Sequence, residues 1–465
     1  MNRAGRDNRV VTIAAACLAT AMLMLDISII NTALSKIAHS LDTDLTGLQW
    51  VLDGYTLPLA ATVLTAGAVA DRIGRRALFL LGLAIFTASS ALCGAAGGIE
   101  VLVGARAIQG LGASMMFATA LALISQVTPQ PEARAKALAA YGAVIGAAFA
   151  LGPFIGGSLT ELLGWRAIFL INVPIGAAVL WITYRWVAEG RDPTPRRIDL
   201  PGQISLIGGL FLLVLALLRG NAEGWGSTGI VAELGGAAIL LMLFVVVEGR
   251  SRQPMLPLRL LGQRRFAGPQ VAVLAISSSI FALFLYLTIY LQTVVGLSPI
   301  QTGLAYLPGT VLALVVSGMT AQLAARFAPA TIASVGLLLV AVGIAGMLVI
   351  GVDSSWTAIL PGFLVASVGI GLFNPAGGAL ALDALSDEQS GLAAGANDTF
   401  RQAGVAVGIA ALGTLMPAQV LGGNLQAYVD GLHHALIAAA VLAAAGAAAT
   451  MWLLVPVRRP AEAPA

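Results

Sequence analysis

The chain has 465 residues, of which 58% are hydrophobic and only 10% charged, with a formal net charge of +3. A soluble globular domain carries about 25% charged residues, so this composition, with a mean hydropathy of +0.91, excludes a soluble enzyme or binding module and leaves an integral membrane protein. The basic residues lie in short loops between apolar runs, not on one face of a polar domain, which argues against a nucleic-acid partner.

A bilayer-spanning helix needs about 20 predominantly apolar residues. Such runs are predicted at 10–31, 48–70, 77–97, 100–126, 137–160 and 166–187. Eight more follow at 200–218, 231–248, 267–291, 302–324, 331–350, 357–381, 391–416 and 434–456. The runs are too long and continuous for barrel strands, so the expected fold is all-α. Fourteen spans put both termini on one side. Of the 25 Lys and Arg, only Lys36, Arg166 and Arg219 fall in loops of the other side, with Arg106 and Arg401 inside spans. By the positive-inside rule both termini are expected in the cytoplasm. The N-terminal run resembles a signal segment without a convincing cleavage site and is expected to be retained as a span. Cys17 and Cys93 lie inside apolar runs and are expected to be packing residues, and no metal site is predicted.

Along this chain the informative residues are the buried charges. A carboxylate or guanidinium at the middle of a spanning helix costs about 2.5–3.5 kcal/mol on insertion scales, and Asp26, Asp53 and Arg106 occupy the first, second and fourth spans. Counting at 1.5 Å per residue from the outer span ends puts all three about 7–9 Å deep, a level at which they are expected to meet. A carboxylate that alternates between pairing with arginine and standing alone binds and releases a proton. Asp26 and Asp53 are therefore expected to share proton and cationic-substrate duties, with Arg106 resetting them; a permanently ionised pair that merely neutralises Arg106 is the alternative. Asn31, Tyr55 and Gln109 join them as candidate cavity residues. Asp398 and Arg401, spaced i, i+3, are expected to neutralise each other on one helix face, with cavity lining as the alternative.

Two segments read as mechanical parts. GAVADRIGRRAL, from Gly67 to Leu78, turns from the second span into the third within a few residues, and places Gly67, Asp71, Arg72, Gly74, Arg75 and Arg76 as a candidate latch. GAVIGAAFALGPFIGGSL in the fifth span sets Gly142, Gly146, Gly152, Gly156 and Gly157 around Pro153, and small residues four apart let helices touch backbone to backbone. A weak internal repeat aligns the second span and its loop with the tenth at an offset of 254 residues, Arg72 facing Arg326. Parallel repeats of this kind build transporters with the substrate site between the halves. No Walker-type glycine loop is present, so no nucleotide cofactor is expected and an ion gradient is the expected energy source.

The latch segment resembles the signature loop of the major facilitator superfamily, the fifth span its antiporter signature, and LVGARAIQGLG, Leu102 to Gly112, the signature whose arginine is implicated in proton transfer. MLMLDISIINTAL resembles the first-span signature of the fourteen-span drug:proton antiporters, with Ser35 where that family usually has proline. QWVLDGYTL, WRAIFLINVPIG and AAGANDTFRQAGVAVGIAALG extend the likeness over essentially the whole chain. The resemblance implies an all-α, major-facilitator-type bundle. Its expected parts are a six-helix half over residues 1–190, two inserted helices and an inner linker over 191–265, and a second six-helix half over 266–465. It also implies a latch whose ionic contacts stabilise the outward-open state. The implied function is proton-coupled export of amphipathic, often cationic, drugs or antibiotics across the plasma membrane. Expected partners are the small-molecule substrate, protons driven by the proton motive force, and the bilayer, for a monomeric protein. A dedicated exporter of one secondary metabolite, or a non-transporting receptor on the same fold, are the alternatives.

Overall fold

The computed structural model describes residues 3–190, 199–251, 254–385, 389–417 and 424–454, so part of the expected inner linker lies outside the described residues. Among these, the long helices are α1 (Arg3–Ile29), α2 (Leu45–Ile73), α3 (Arg75–Ala95), α4 (Ile99–Val127), α5 (Pro131–Leu163), α6 (Asn172–Trp186), α7 (Leu200–Glu223) and α8 (Thr228–Arg250). They continue with α9 (Arg264–Val294), α10 (Pro299–Ala324), α11 (Pro329–Gly346), α12 (Leu360–Leu382), α13 (Ser390–Gly413) and α14 (Leu425–Leu454). Twelve helices among the described residues are long and apolar enough to cross a membrane. The two long helices outside that set, α2 and α13, have 29 and 24 residues but hold more polar side chains, among them Asp53, Asp71, Asn397 and Asp398.

Helix ends follow from local sequence. Asp44, Asp199 and Ser227 accept hydrogen bonds from backbone N–H groups in the first turns of α2, α7 and α8, and Ser298 with Gln301 closes a full capping box on α10. These side chains satisfy donors that a helix start leaves unpaired. At Gly74 the backbone reverses between α2 and α3 with φ +118°, a conformation open to glycine and strained for other residues.

Packing sorts the helices. The N-terminal six surround a core that includes Leu23, Tyr55, Phe79, Phe86, Met116 and Leu123. A larger core joins the last six to the end of the bundle remote from the Arg72–Arg76 loop. The two sets touch along two seams, α2 against α13 and α5 against α10. α7 and α8 pair with each other, and α7 lies over α2 and α13, burying Leu206, Leu210, Val214 and Leu218 against Leu57, Ala406 and Ala410. The most apolar window of α9 is 83% buried, whereas that of α8 is 17% buried. α9 is thus central and α8 peripheral, its Ile239, Met242 and Val245 turned outward as lipid contact requires.

Two helices are irregular. The first run breaks into a 3₁₀ turn at Ile30–Ala33 before resuming over Leu34–Leu41, and α9 contains π segments at Ser277–Phe281 and Tyr290–Val294. Such breaks leave side chains and carbonyls free to act outside the regular ladder.

Candidate functional site

The expected meeting of α1 and α4 occurs. Arg106 and Asp26, each 1% exposed, form an ion pair with Nη1 2.5 Å from Oδ2. Arg106 also donates to Gln109 Oε1 at 2.8 Å and from Nε to the Val51 carbonyl at 3.2 Å, and its guanidinium stands 4.2 Å from the Tyr55 ring centroid. The other Asp26 oxygen accepts from Gln109 Nε2 and from Asn172 Nδ2, both at 2.9 Å. Gln109 Nε2 reaches Ser90 Oγ at 2.7 Å as well. The carboxylate is therefore held from α4 and α6, with Ser90 of α3 behind the two amides. A buried charge pair is tolerated when its remaining lone pairs and protons are satisfied, and here almost every one is.

Ser90 and Asn172 were not among the expected site residues. Asn172 lies inside WRAIFLINVPIG, and a single neutral amide in an apolar run gives little sequence signal until its neighbour is known.

Asp53 does not join this pair. Its neighbour Gly54 faces α4, where an added Cβ would lie 3.7 Å from the Arg106 Cβ. Successive helical residues point 100° apart, so Asp53 looks to a different side of α2. It is fully buried; Oδ1 accepts from Thr56 Oγ1 at 3.5 Å, and Oδ2 has no hydrogen-bond partner. Helix rotation decides which of the three groups touch. Asn31 also stays apart, its amide donating to the Ile27 carbonyl at 3.5 Å within the first helix. Tyr55 contributes its ring to Arg106 while its hydroxyl is buried without a partner.

The ion pairs among the described residues do not include Asp398 with Arg401. Asp398 is 5% exposed with Oδ2 unpartnered, and Arg401 is half-buried. The two charges interact electrostatically across one turn of α13, without an ion-pair contact between them.

At the loop, Arg75 pairs with Asp71 at 3.6 Å. Arg76 donates from Nη2 to the Tyr184 carbonyl at 2.6 Å and from Nε to the Thr183 carbonyl at 3.4 Å. Glu189, beyond the end of α6, accepts from the backbone N–H of Arg76 at 3.0 Å and Ala77 at 3.1 Å, capping α3, and Arg75 N–H donates to the Gly190 carbonyl. A Cβ on Gly74 would lie 2.6 Å from that carboxylate. Arg72 is exposed, and Gly67 has open space beside it. These contacts tie the loop to the end of α6. Glu189 was not expected, since one acid in an Arg-rich loop reads as solvated.

The fifth-helix glycines divide by depth. A Cβ on Gly152 would meet the Ser28 Cβ at 2.6 Å, and one on Gly156 the Ile29 Cα at 2.7 Å. One on Gly157 would meet the Pro299 carbonyl carbon at 2.8 Å, and reciprocally one on Gly303 of α10 would lie 2.8 Å from the Phe154 Cα and 2.5 Å from the Pro153 oxygen. Toward the Arg-loop end the same seam loosens: Gly146 has Leu314 at 3.1 Å, while Gly142 and Gly318 have nothing within 4 Å. The α5–α10 seam is zipped at the remote end and splayed toward the Arg loop. Around the middle, Phe149 of α5 sits 5.4 Å from Phe281 and 6.3 Å from Phe284, and Phe284 lies edge-on to Tyr306 and Phe363, giving a cluster of rings shared by both halves.

Comparison with known proteins agrees with this architecture. The family model described as "Major Facilitator Superfamily" matches residues 16–409. The chain is similar to the multidrug resistance protein Stp of Mycobacterium tuberculosis, 34% identical over 430 residues, covering 92% of this chain and 79% of that protein. It is likewise similar to the methylenomycin A resistance protein of Streptomyces coelicolor, 32% identical over 401 residues, covering 86% and 84%. Among solved structures it shares its fold with a peptide transporter POT crystallised with sulfate, with a TM-score of 0.68, 17% identity and 95% of each chain covered. The chain therefore belongs to the Major Facilitator Superfamily, as a multi-pass membrane transporter homologous to multidrug and antibiotic efflux proteins.

Proposed function

We propose that the protein is a proton-coupled exporter of amphipathic, often cationic, compounds across the plasma membrane, built of fourteen spans with both termini in the cytoplasm. In this proposal α1–α6 and α9–α14 are the two moving halves, α7 and α8 are the insertion, no cofactor is used, and the unit is a monomer. The observation that carries it is the Asp26–Arg106 pair, 1% exposed and held by Gln109 and Asn172, in a chain whose relatives bear the names of resistance proteins. The carboxylate is held by its arginine and two amides, and separation of the pair during a transport cycle frees it for coupling. Asp53, whose Oδ2 is buried without a hydrogen-bond partner, supplies a further proton or cation acceptor, because an unpaired charge at such a place is costly. Each proton moving down 100 mV supplies about 2.3 kcal/mol. The aromatic cluster from Phe149 to Phe363 gives an apolar wall that accommodates varied substrates.

The test uses inside-out vesicles, an imposed pH gradient and the lipophilic cation ethidium. The parent protein accumulates dye and collapses part of the gradient. Asp26→Asn at equal abundance loses both. Dye movement that ignores the gradient and an uncoupler, or coupling unchanged in Asp26→Asn, refutes the proposal. A second reading, a dedicated exporter of one metabolite, is favoured by the relative named for methylenomycin A alone. Protection of a sensitive host against one compound from a chemically mixed panel selects it.

A further inference from the structure

At the Arg-loop end, α7 and α8 carry two acids for which the efflux reading has no use. Glu248 lies in the last turn of α8 and is 2% exposed. Its Oε2 accepts the Leu256 N–H at 3.1 Å, from the chain that leads toward α9, while Oε1 is buried without a hydrogen-bond partner. Asp199 stands at the start of α7. Its Oδ1 accepts the Gly202 N–H at 2.9 Å and caps the helix, and its Oδ2 is likewise buried and unpartnered. Gly202 shows how near the two acids come: a Cβ there would sit 2.9 Å from Glu248 Oε1, 3.1 Å from Asp199 Cγ and 3.2 Å from Asp199 Oδ1. Both carboxyl groups crowd one point on α7, where a glycine leaves them room.

No basic side chain answers this pair among the described residues, whose ion pairs involve Arg75, Arg106 and Arg219. The elements packed against α8 are α7 and the short helix Leu258–Leu261. At this end α7 offers Asp199, its Arg219 and Glu223 lying at the other end. The short helix carries Arg259 and α8 itself Arg250, both exposed. Glu248 also sits at the negative end of the α8 dipole. Two bare carboxylates at such a place carry a double cost, an unpaired buried charge and repulsion between like charges. One proton on Glu248 Oε1 lowers both. It leaves a single negative charge, turns an orphaned acceptor into a donor facing Asp199, and keeps Oε2 on the Leu256 N–H.

We propose that Glu248 and Asp199 hold one proton between them, a proton-binding site on the α7–α8 pair that is separate from the Asp26–Arg106 network. The proton clasps the end of α8 to the start of α7. Its reach extends to α2, because Gln203, next to Gly202, donates to the Ala61 carbonyl at 2.6 Å, and the Sδ of Met255, next to Leu256, lies 3.9 Å from Thr65 Oγ1. One protonation thus secures α7, α8 and the chain leading to α9 against α2. The site needs neither cargo nor a transport cycle, so it stands apart from the exporter proposed above.

The experiment uses full-length protein in nanodiscs, its glutamate carboxyls labelled with carbon-13 so that their infrared bands separate from those of the aspartates. At pH about 7 a glutamate with the ordinary pKa of about 4.3 is ionised. The parent is expected to keep the carbonyl band of a protonated glutamic acid at that pH, and Glu248→Gln to lose it. Asp199→Asn removes the neighbouring charge and is expected to weaken the hold on the proton about tenfold, so that the band disappears about one pH unit nearer acid. Glu248→Gln retains a donor toward Asp199 and an acceptor for Leu256, so amide exchange around Leu256 is expected to stay near the parent, whereas Glu248→Ala raises it about fivefold. A glutamic acid band missing from the parent, a band of equal size in Glu248→Gln, or a titration unmoved by Asp199→Asn overturns the proposal. So does stabilisation of the parent, and not of Glu248→Gln, by magnesium or potassium chloride at matched ionic strength, which assigns the acids to a metal ion. If Glu248→Gln does not assemble, the Asp199→Asn titration decides alone. Failure of ethidium transport in the vesicle test leaves this result standing.

Discussion

Asp26→Asn changes one oxygen to an amide nitrogen and removes a charge without altering volume, which makes its stability effect calculable from the contacts around it. In the parent, Asp26 accepts from three donors, Arg106 Nη1, Gln109 Nε2 and Asn172 Nδ2. Asparagine keeps one acceptor oxygen and turns two N–H donors toward groups that are themselves donors. Arg106 is left 1% exposed with the Val51 carbonyl, Gln109 Oε1 and the Tyr55 face. Removing one partner of a buried pair costs about 3–5 kcal/mol. The remaining cation–π contact, worth about 0.5–2 kcal/mol, is already present in the parent and gives no new compensation, but the single retained hydrogen bond recovers about 1 kcal/mol. The expected loss is about 2–4 kcal/mol. Arg106→Met removes the stranded cation, so Asp26→Asn combined with Arg106→Met is expected to be less damaged than the sum of the single variants by about 2 kcal/mol, within the range of coupling seen for groups in contact. Equilibrium unfolding of the four proteins in one detergent measures this cycle. A loss below about 1 kcal/mol for Asp26→Asn, or additivity within about 0.5 kcal/mol, refutes the argument that the pair is held as an ionised unit.

Gly303→Val places a branched side chain against the Pro153 carbonyl and the Phe154 backbone; overpacking of this kind costs about 1–3 kcal/mol. It is expected to pry the α5–α10 seam apart and abolish export, whereas Gly318→Val, with open space at its site, leaves both unfolding and export near the parent. Gln203 of α7, 6% exposed, donates to the Ala61 carbonyl of α2 at 2.6 Å and accepts from Thr65 Oγ1. Gln203→Leu leaves a buried carbonyl without this donor, so a loss of about 1–3 kcal/mol in unfolding free energy is expected. Limited proteolysis between α6 and α7 should become faster, and unchanged cleavage counts against attachment of α7 and α8 through this residue.

Long apolar runs and intramembrane charges made the helical bundle and the Asp26–Arg106 pair legible in the sequence, because both depend on quantities that add along the chain: hydropathy and depth. What depends on rotation about a helix axis was not. Asp53 lies on a side of α2 away from Arg106, an azimuth that only the contact of Gly54 with α4 fixes. Asp398 and Arg401 have the spacing of a pair and interact electrostatically, but the spacing alone did not say whether they would touch, and they make no ion-pair contact. Ser90, Asn172 and Glu189 are ordinary in composition and acquire their parts from neighbours on other helices. The breaks at Ile30–Ala33 and in α9 leave no proline or turn motif to read, since a π segment differs from an α-helix by a shift in hydrogen-bond partner. α2 and α13 were expected as spans and are long helices, but both hold enough polar residues to sit below the apolarity of the other twelve.

The backbone-on-backbone contact of Gly157 with Pro299 and of Gly303 with Pro153 limits how the molecule can deform. A joint filled by side chains yields gradually as rotamers exchange, but two main chains with nothing between them have no intermediate packing to adopt. At this joint the helices are either docked or separated by water, so α5 and α10 act as a snap fastener, and the transition there is discrete. Partial strokes would leave peptide surfaces facing an empty slit, which confines the protein's resting population to a small number of well-defined postures.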